Sequence, residues 1–334
     1  MSHRPETVRT LQEAAQAIMT KLFIHIGAHK TGTTTLQRCF DENSAALAAL
    51  GVTYPRSNWF HHSQHRLAFA LKGMRDPLQK DIPDFDREVG ALNTAVASAK
   101  TSNVFISSEE FFSCSADAVM RLKDRLDVDS THIIATVRRP DTMFVSMYNQ
   151  KAKQPNNGFN RLITSFVDKP ETLDSDLSFW SCIRNWRDTF SCDMTLLQYE
   201  TGPAVDQMLG VLGLEPDALP QSTAINKSLP GAVIEVMRLS KATGLSPHAQ
   251  KQVFWLANQV LADRPSYFLS AENRRKILRS VEAENHALFA AFGMKNPYTI
   301  DSRIADLPED SERQNIAFRD LMLMLGTLLD QQTA

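Results

Sequence analysis

Cysteines and long apolar runs are scarce in this chain of 334 residues. Its four cysteines lie far apart and form no C-x-x-C pair: Cys39, Cys114, Cys182 and Cys192. This spacing favours buried thiols in a reducing compartment over disulfides or a zinc site. No segment reaches the roughly 18 apolar residues of a membrane-spanning helix, and the first twenty residues lack the apolar core of a signal peptide. We therefore expect a cytoplasmic protein without a membrane span.

An excess of charge of one sign is also missing. Lysine and arginine number 36 against 38 aspartate and glutamate, a formal net charge of −2, so nothing in the charge balance favours nucleic acid or an anionic membrane as a partner. Short apolar runs at 22–26, 103–107, 132–137 and 194–198 alternate with segments of helical periodicity. This alternation predicts an α/β fold, a parallel sheet flanked by helices on both faces.

The most informative stretch is Leu22 to Gln37, LFIHIGAHKTGTTTLQ. An apolar strand, a turn containing Gly27 and Gly32, and threonines that open a helix follow one another. At such a junction, unpaired backbone N–H groups and the positive end of the helix dipole bind an anion. The glycine spacing matches the first half of a P-loop, but Thr33 occupies the lysine position and the lysine is Lys30. A tight strand–helix turn with threonine caps is the plainer alternative.

A second motif follows the strand at 132–137. Arg138 and Arg139 stand at its end, Pro140 fits the first turn of the next helix, and Ser146 lies on that helix. The guanidinium of Arg138 is suited to bind a phosphate through two hydrogen bonds, with Ser146 adding a hydroxyl. The alternative is that both arginines form surface salt bridges.

These two motifs resemble those of the sulfotransferases that use 3′-phosphoadenosine 5′-phosphosulfate (PAPS), in their soluble bacterial form. GAHKTGTTTLQ is similar to the family's 5′-phosphosulfate loop, and THIIATVRRPDTMFVSMYNQ is similar to its Arg-x-Pro segment with a later serine. A looser resemblance runs from about Lys21 to about Leu239, and the last third of the chain shows none. The resemblance implies a P-loop-like sulfotransferase fold, PAPS as co-substrate, adenosine 3′,5′-bisphosphate as product, and no metal.

The resemblance also implies roles for individual residues. Lys30 would stabilise the leaving group, and Arg138 with Ser146 would hold the 3′-phosphate. Lys227 lies in a segment similar to the family's late nucleotide-closing segment, although the usual Arg-Lys-Gly pattern is absent. The residues expected to bind the donor are His29, Lys30, Thr31, Gly32, Thr33, Thr34, Thr35, Arg138, Ser146 and Lys227.

Two glutamates, Glu109 and Glu110, follow the strand at 103–107, at the edge where open α/β sheets bind ligands. Adjacent residues on a strand point to opposite faces, so we expect only one of them to enter the site, and we assign Glu109 as the catalytic base. The alternatives are Glu110 or His65 as the base, and both glutamates facing water. His61 and His65 have the spacing of metal ligands on one helix face, but no acidic or cysteine partner stands nearby in sequence.

We expect three regions: a helical extension over 1–20, an α/β core over 21–240, and a helical region over 241–334. The last region would pack on the core or form the interface of a homo-oligomer. The sequence does not identify the acceptor: small molecules, lipids and glycans that carry a hydroxyl or amine all fit it. Two other functions also stay open, a P-loop nucleotide kinase and a catalytically silent nucleotide-binding protein. The kinase is disfavoured because Thr33 occupies the P-loop position of the lysine that contacts the β- and γ-phosphates.

Overall fold

The computed structural model describes residues 19–154, 157–220, 229–263 and 269–299, together with Asp320, Leu321 and Met324. Its centre is a five-stranded sheet in which every strand pair is parallel and the strand order is β2-β3-β1-β4-β5. The strands are β1 (Lys21–His25), β2 (Val52–Thr53), β3 (Asn103–Ser107), β4 (Ser130–Val137) and β5 (Met194–Gln198). The predicted α/β fold is confirmed.

Helices cover both faces of this sheet. Those before β4 are α1 (Thr33–Glu42), α2 (Ser44–Ala49), α3 (His65–Lys72), α4 (Phe85–Ala97) and α5 (Ala116–Lys123). Those after it are α6 (Pro140–Lys153), α7 (Phe179–Phe190), α8 (Ala204–Val211), α9 (Gly231–Ala242), α10 (Pro247–Val260), α11 (Ala271–Ser280) and α12 (Glu282–Ala291). In the described part of the chain, none of these helices is long and apolar enough to cross a membrane.

The two faces of the sheet bury separate apolar clusters. Phe23 and Phe105 belong to the cluster under α1 and α8, whereas Ile24 and Ile106 belong to the larger cluster that includes α6 and α7. Successive residues of a strand point to opposite faces, and strands covered on both faces therefore read as continuous apolar runs. Burying one such side chain contributes about 1.5–3 kcal/mol. Trp186 of α7 is fully buried in the larger cluster.

Helix boundaries differ from the sequence expectation at three places. Helical periodicity predicts one helix from Thr33 to about Leu50 with Gly51 as its C-terminal stop. The helix is instead interrupted at Asn43, and Gly51 follows α2 in the left-handed conformation expected of a stop. Within the predicted helical region, the apolar spacing also predicts one helix from Ala271 to Phe292, but the structure has two helices separated by Val281. His61 lies before α3 in a turn with φ 44°, so His61 and His65 do not share a helix face.

The C-terminal helices contact the α/β unit directly. Helices α9 and α11 pack on α6, α12 packs on α7, and α10 packs on α9. The helices expected over 7–20 and 312–331 lie outside the described residues, except at 19, 20, 320, 321 and 324.

Candidate functional site

The order of the strands places a crevice beside β1. Strands β2 and β3 lie on one side of β1, while β4 and β5 lie on the other. Helix α1, which follows β1, packs on one face of the sheet, and α6, which follows β4, packs on the opposite face. The connections after β1 and β4 therefore diverge, which is the position where open α/β sheets bind ligands.

The connection after β1 is a loop held close to β4. The N–H groups of Ile26 and Ala28 donate to Ile134 and Thr136 at 2.8 and 2.9 Å, so pairing with β4 continues past the end of β1. The hydroxyl of Thr31 then donates to the carbonyl of Ala28 at 2.6 Å and closes a tight turn. These contacts fix the loop before the helix begins.

Backbone donors collect at the end of this loop. Gly32 precedes α1 with φ 83° and provides no side-chain cap for the helix. Within the described ranges, the N–H groups of residues 29–34 donate to no protein acceptor. A helix N-terminus with unsatisfied N–H groups and a positive dipole end is an anion-binding arrangement.

Two cationic side chains flank these donors. Lys30, which has φ 65°, donates from Nζ to Gln150 Oε1 at 2.6 Å. Arg138 donates from Nη1 to the backbone carbonyl of Lys30 at 2.9 Å and from Nε to Thr142 Oγ1 at 3.1 Å. Its guanidinium also lies 4.6 Å from the ring centroid of Tyr199. The two sequence motifs thus form one positively charged wall.

Burial and neighbouring charges shift the pKa of both cations. Burial lowers the pKa of Lys30, and the charges of Lys153 and Arg138 lower it further. Burial also lowers the pKa of Arg138, while Tyr199 and Glu200 oppose the shift. A bound anion would favour the charged form of both side chains, because an opposite charge nearby offsets desolvation.

Gly27 is the glycine of this loop that packing requires. A Cβ atom at this position would lie 2.7 Å from His25 Nε2 and 2.9 Å from Thr33 Cγ2. The imidazole of His25 is held by Ser107 Oγ at 2.9 Å and Thr136 Oγ1 at 3.0 Å. Since His25 is fixed on both sides, the loop can approach β1 closely only with glycine at position 27.

Glu109 and Glu110 lie on the other side of the loop. Strand β3 ends at Ser107, and Glu109–Phe111 is a 3-10 turn capped by the hydroxyl of Ser108. The expectation that strand alternation separates Glu109 from Glu110 is therefore wrong, because strand geometry has ended before either residue. Glu110 Oε1 lies 3.8 Å from His29 Nε2.

Glu109 is held from two directions. Gln37 of α1 donates from Nε2 to Glu109 Oε2 at 3.1 Å, and His65 Nε2 lies 3.6 Å from the same oxygen. Burial raises the pKa of Glu109, but the opposing effects of His65, His29 and the bond from Gln37 are larger together, so its pKa lies below the ordinary value. The carboxylate is ionised at neutral pH and can accept a hydrogen bond from a ligand.

A buried chain of hydrogen bonds connects the two sides of the site. Gln37 Nε2 also donates to Ser107 Oγ at 3.1 Å, and Ser107 is bonded to His25. Burial lowers the pKa of His25 to about 4, so its imidazole is neutral. This chain fixes Glu109 relative to β1 and β4.

The remaining expected site residues fall into three groups. Thr33 is buried, Thr35 is half-buried and Thr34 is exposed at the start of α1, while Ser146 is half-buried on α6. His29 faces Glu110 and Asp176, not Arg138. Lys227 lies outside the described residues. No group of three or more histidine, cysteine or acidic side chains arranged for a metal ion occurs among the described residues.

Sequence reasoning missed Gln37, Gln150, Thr142 and Tyr199. One signal was available: Thr142, Ser146 and Gln150 are spaced by four residues and so lie on one face of α6, after a motif already singled out. Gln37 and Tyr199 carry no such local signal, since each meets its partner through the fold.

Comparison with known proteins supplies no function for this site. No family model matches the chain. An uncharacterized protein of Archaeoglobus fulgidus is 26% identical over 212 residues, which cover 59% of this chain and 56% of the relative. The chain thus spans a little over half the length of that relative, and the likeness carries no activity with it.

Proposed function

We propose that this protein transfers a sulfuryl group from PAPS to a hydroxyl or amine of an acceptor. The observation that supports this most is the hydrogen bond from Arg138 to the carbonyl of Lys30, which joins two motifs 108 residues apart. A family-like loop and a family-like Arg-x-Pro segment meet in one site, next to backbone donors that lack a protein acceptor. Both features suit a donor with separate 5′ and 3′ anionic groups.

On the donor side, the chain provides three kinds of contact. The loop N–H groups with Thr33 and Thr34 hold the 5′-phosphate. Arg138, oriented by Thr142 and Tyr199, holds the 3′-phosphate together with Ser146. Lys30 faces the oxygen between phosphorus and sulfur and stabilises the negative charge that develops there. PAPS supplies the activated sulfuryl group.

On the acceptor side, Glu109 takes the proton. As the acceptor oxygen or nitrogen bonds to sulfur, the bond from sulfur to the bridging oxygen breaks. The acceptor proton passes to the Glu109 carboxylate, and the leaving phosphate keeps the electron pair beside Lys30. Gln37 and His65 keep the carboxylate oriented. A sulfuryl group carries less negative charge than a γ-phosphoryl group, so the reaction depends less on Mg²⁺.

Labelled donor tests this proposal. Purified protein is incubated with fractionated cell extract and either PAPS labelled in the sulfuryl group or ATP labelled in the γ-phosphate with Mg²⁺. We expect an acceptor in at least one fraction to gain label from PAPS, and none from ATP. Label from ATP alone would support the kinase, and nucleotide binding without transfer in any fraction would support the silent binding protein.

A further inference from the structure

Carboxylates surround the imidazole of His29 on the acceptor side. His29 Nε2 lies 3.8 Å from Glu110 Oε1 and 3.8 Å from Asp176 Oδ2. Glu110 is also bonded to Lys72, whose Nζ donates to Oε2 at 2.8 Å. Asp174 is close to Asp176 in the chain, and its Oδ2 lies 3.9 Å from Nζ of Lys151.

Asp176 differs from its neighbours because one of its oxygens is unsatisfied. The residue is 3% exposed, and among the described residues Oδ2 has no hydrogen-bond partner. Burial raises its pKa to about 6. A buried carboxylate oxygen without a donor is costly, and in native structures such an oxygen is completed by water, an ion or a ligand, or has a catalytic role.

The charges around Asp176 narrow the choice of ligand. Four carboxylates lie in contact with His29, His65 or a neighbouring lysine, those of Glu109, Glu110, Asp174 and Asp176, and only two of them, Glu110 and Asp174, pair with an ammonium group, that of Lys72 or Lys151. Burial lowers the pKa of the nearby His65, and the charges of Glu109 and Glu110 oppose this shift. The acceptor side is therefore negatively charged, while the donor side carries Lys30 and Arg138.

We propose that the acceptor carries a protonated amine, which binds between Asp176 and Glu110 next to His29. This inference rests on the proposed sulfuryl transfer, because it assigns this cluster to the acceptor. An ammonium group supplies the donor that Asp176 Oδ2 lacks and balances the local charge. A neutral sugar or a lipid without an amine supplies no such charge.

Matched pairs of small probes test the inference on the full chain. The protein is saturated with adenosine 3′,5′-bisphosphate, and calorimetry compares methyl glucosaminide with methyl glucoside, and phenethylamine with 2-phenylethanol. We expect at least one amine to bind about ten- to a hundredfold more tightly than its neutral partner, the effect of one charge-assisted hydrogen bond. Asp176→Asn should remove this preference, and the exposed Asp168→Asn should retain it.

Stability provides a measurement without any probe. Asp176→Asn should leave the melting temperature unchanged or higher, because it removes an unsatisfied buried carboxylate.

Glu110→Gln is the second variant for the binding experiment. It should weaken the preference for the amine probes less than Asp176→Asn does, because Lys72 already pairs with Glu110.

Three outcomes are distinguishable. Equal affinities within both pairs, or no binding of either amine up to its solubility limit, contradict the inference alone. A large fall in melting temperature for Asp176→Asn also contradicts it, because it would show a structural partner. Failure of the bisphosphate to bind the wild-type protein counts against the proposed function instead.

Discussion

Arg138 donates from Nη1 to the backbone carbonyl of Lys30 at 2.9 Å. Lys30 adopts φ 65°, a conformation that L-residues seldom occupy. The arginine therefore stabilises the turn that directs the lysine toward Gln150, and the same guanidinium is the proposed ligand of the 3′-phosphate. If Arg138 binds the 3′-phosphate as proposed, this bond links that binding to the shape of the loop around Lys30.

Lys30→Ala should slow sulfuryl transfer by about two to three orders of magnitude, the usual effect of removing an electrostatic stabiliser. Affinity for adenosine 3′,5′-bisphosphate should fall less, by about ten- to a hundredfold, because the bridging oxygen stays on the product's 5′-phosphate and loses one charge-assisted contact. Rates with saturating donor and calorimetry on the same variant check both parts. Lys153→Ala is the control, since it removes a nearby positive charge without altering the loop. Near-normal turnover of the Lys30 variant would show that its ammonium has no part in the reaction.

Glu109→Gln should lower turnover by about two to four orders of magnitude, the contribution of a positioned general base. Nucleotide affinity should stay nearly constant, because the proposed reaction places Glu109 beside the acceptor and not beside the nucleotide. The comparison variants are Glu110→Gln and His65→Ala, measured in the same assay. If Glu109→Gln stays active while one of these is inactive, the role of base belongs to that residue.

Gly27→Ala should destabilise the protein by about 1–3 kcal/mol, the usual effect of overpacking. The added Cβ would meet His25 at 2.7 Å, and His25 cannot retreat without losing its bonds to Ser107 and Thr136. Urea unfolding measures the change. Gly90→Ala within α4 is the matched control: its Cβ meets nothing within 4 Å, so this variant should gain about 0.5–1 kcal/mol. Equal effects of both substitutions would mean that the loop is not packed as described.

His25 should make the protein less stable in acid. Its pKa is about 4 in the folded protein and 6.5 in the unfolded chain. Between these two pH values, the imidazole is protonated in the unfolded state and neutral in the folded state. The stability is present above the unfolded pKa and is lost as pH falls from about 6.5 to about 4, roughly 3 kcal/mol in all. Urea unfolding at about pH 7 and about pH 5 should show a loss of about 2 kcal/mol that His25→Gln lacks. The same pH dependence in both proteins would contradict a neutral, buried His25.

The strands were the most predictable part of the fold. Strands β3 and β5 begin and end at the residues expected from sequence. Strand β3 is buried on both faces and therefore reads as an apolar run, whereas β5 lies at the edge of the sheet and buries only Leu196. The break between α1 and α2 was not predictable from periodicity. It depends on Asn43, whose side chain donates to the carbonyl of Cys39 at 2.9 Å and ends the helix without a glycine or proline.

The site was predictable only where a motif marks it. Lys30 and Arg138 follow from local spacing, and the fold brings them together. Gln37 and Gln150 could not be paired with their partners, because those partners lie 72 and 120 residues away in sequence. The placement of both glutamates in a 3-10 turn was also missed, since the Ser108 cap competes with the strand through one side-chain bond.

Calorimetry with adenosine 3′,5′-bisphosphate, AMP and ADP tests the central claim most directly, because it requires no knowledge of the acceptor. The bisphosphate should bind about ten- to a hundredfold more tightly than either of the others, the effect of a charge-assisted contact to the 3′-phosphate. Ser146→Ala should reduce this preference and leave AMP affinity unchanged. Equal affinities for the three nucleotides would contradict the assignment of Arg138 and Ser146, and with it the proposed donor.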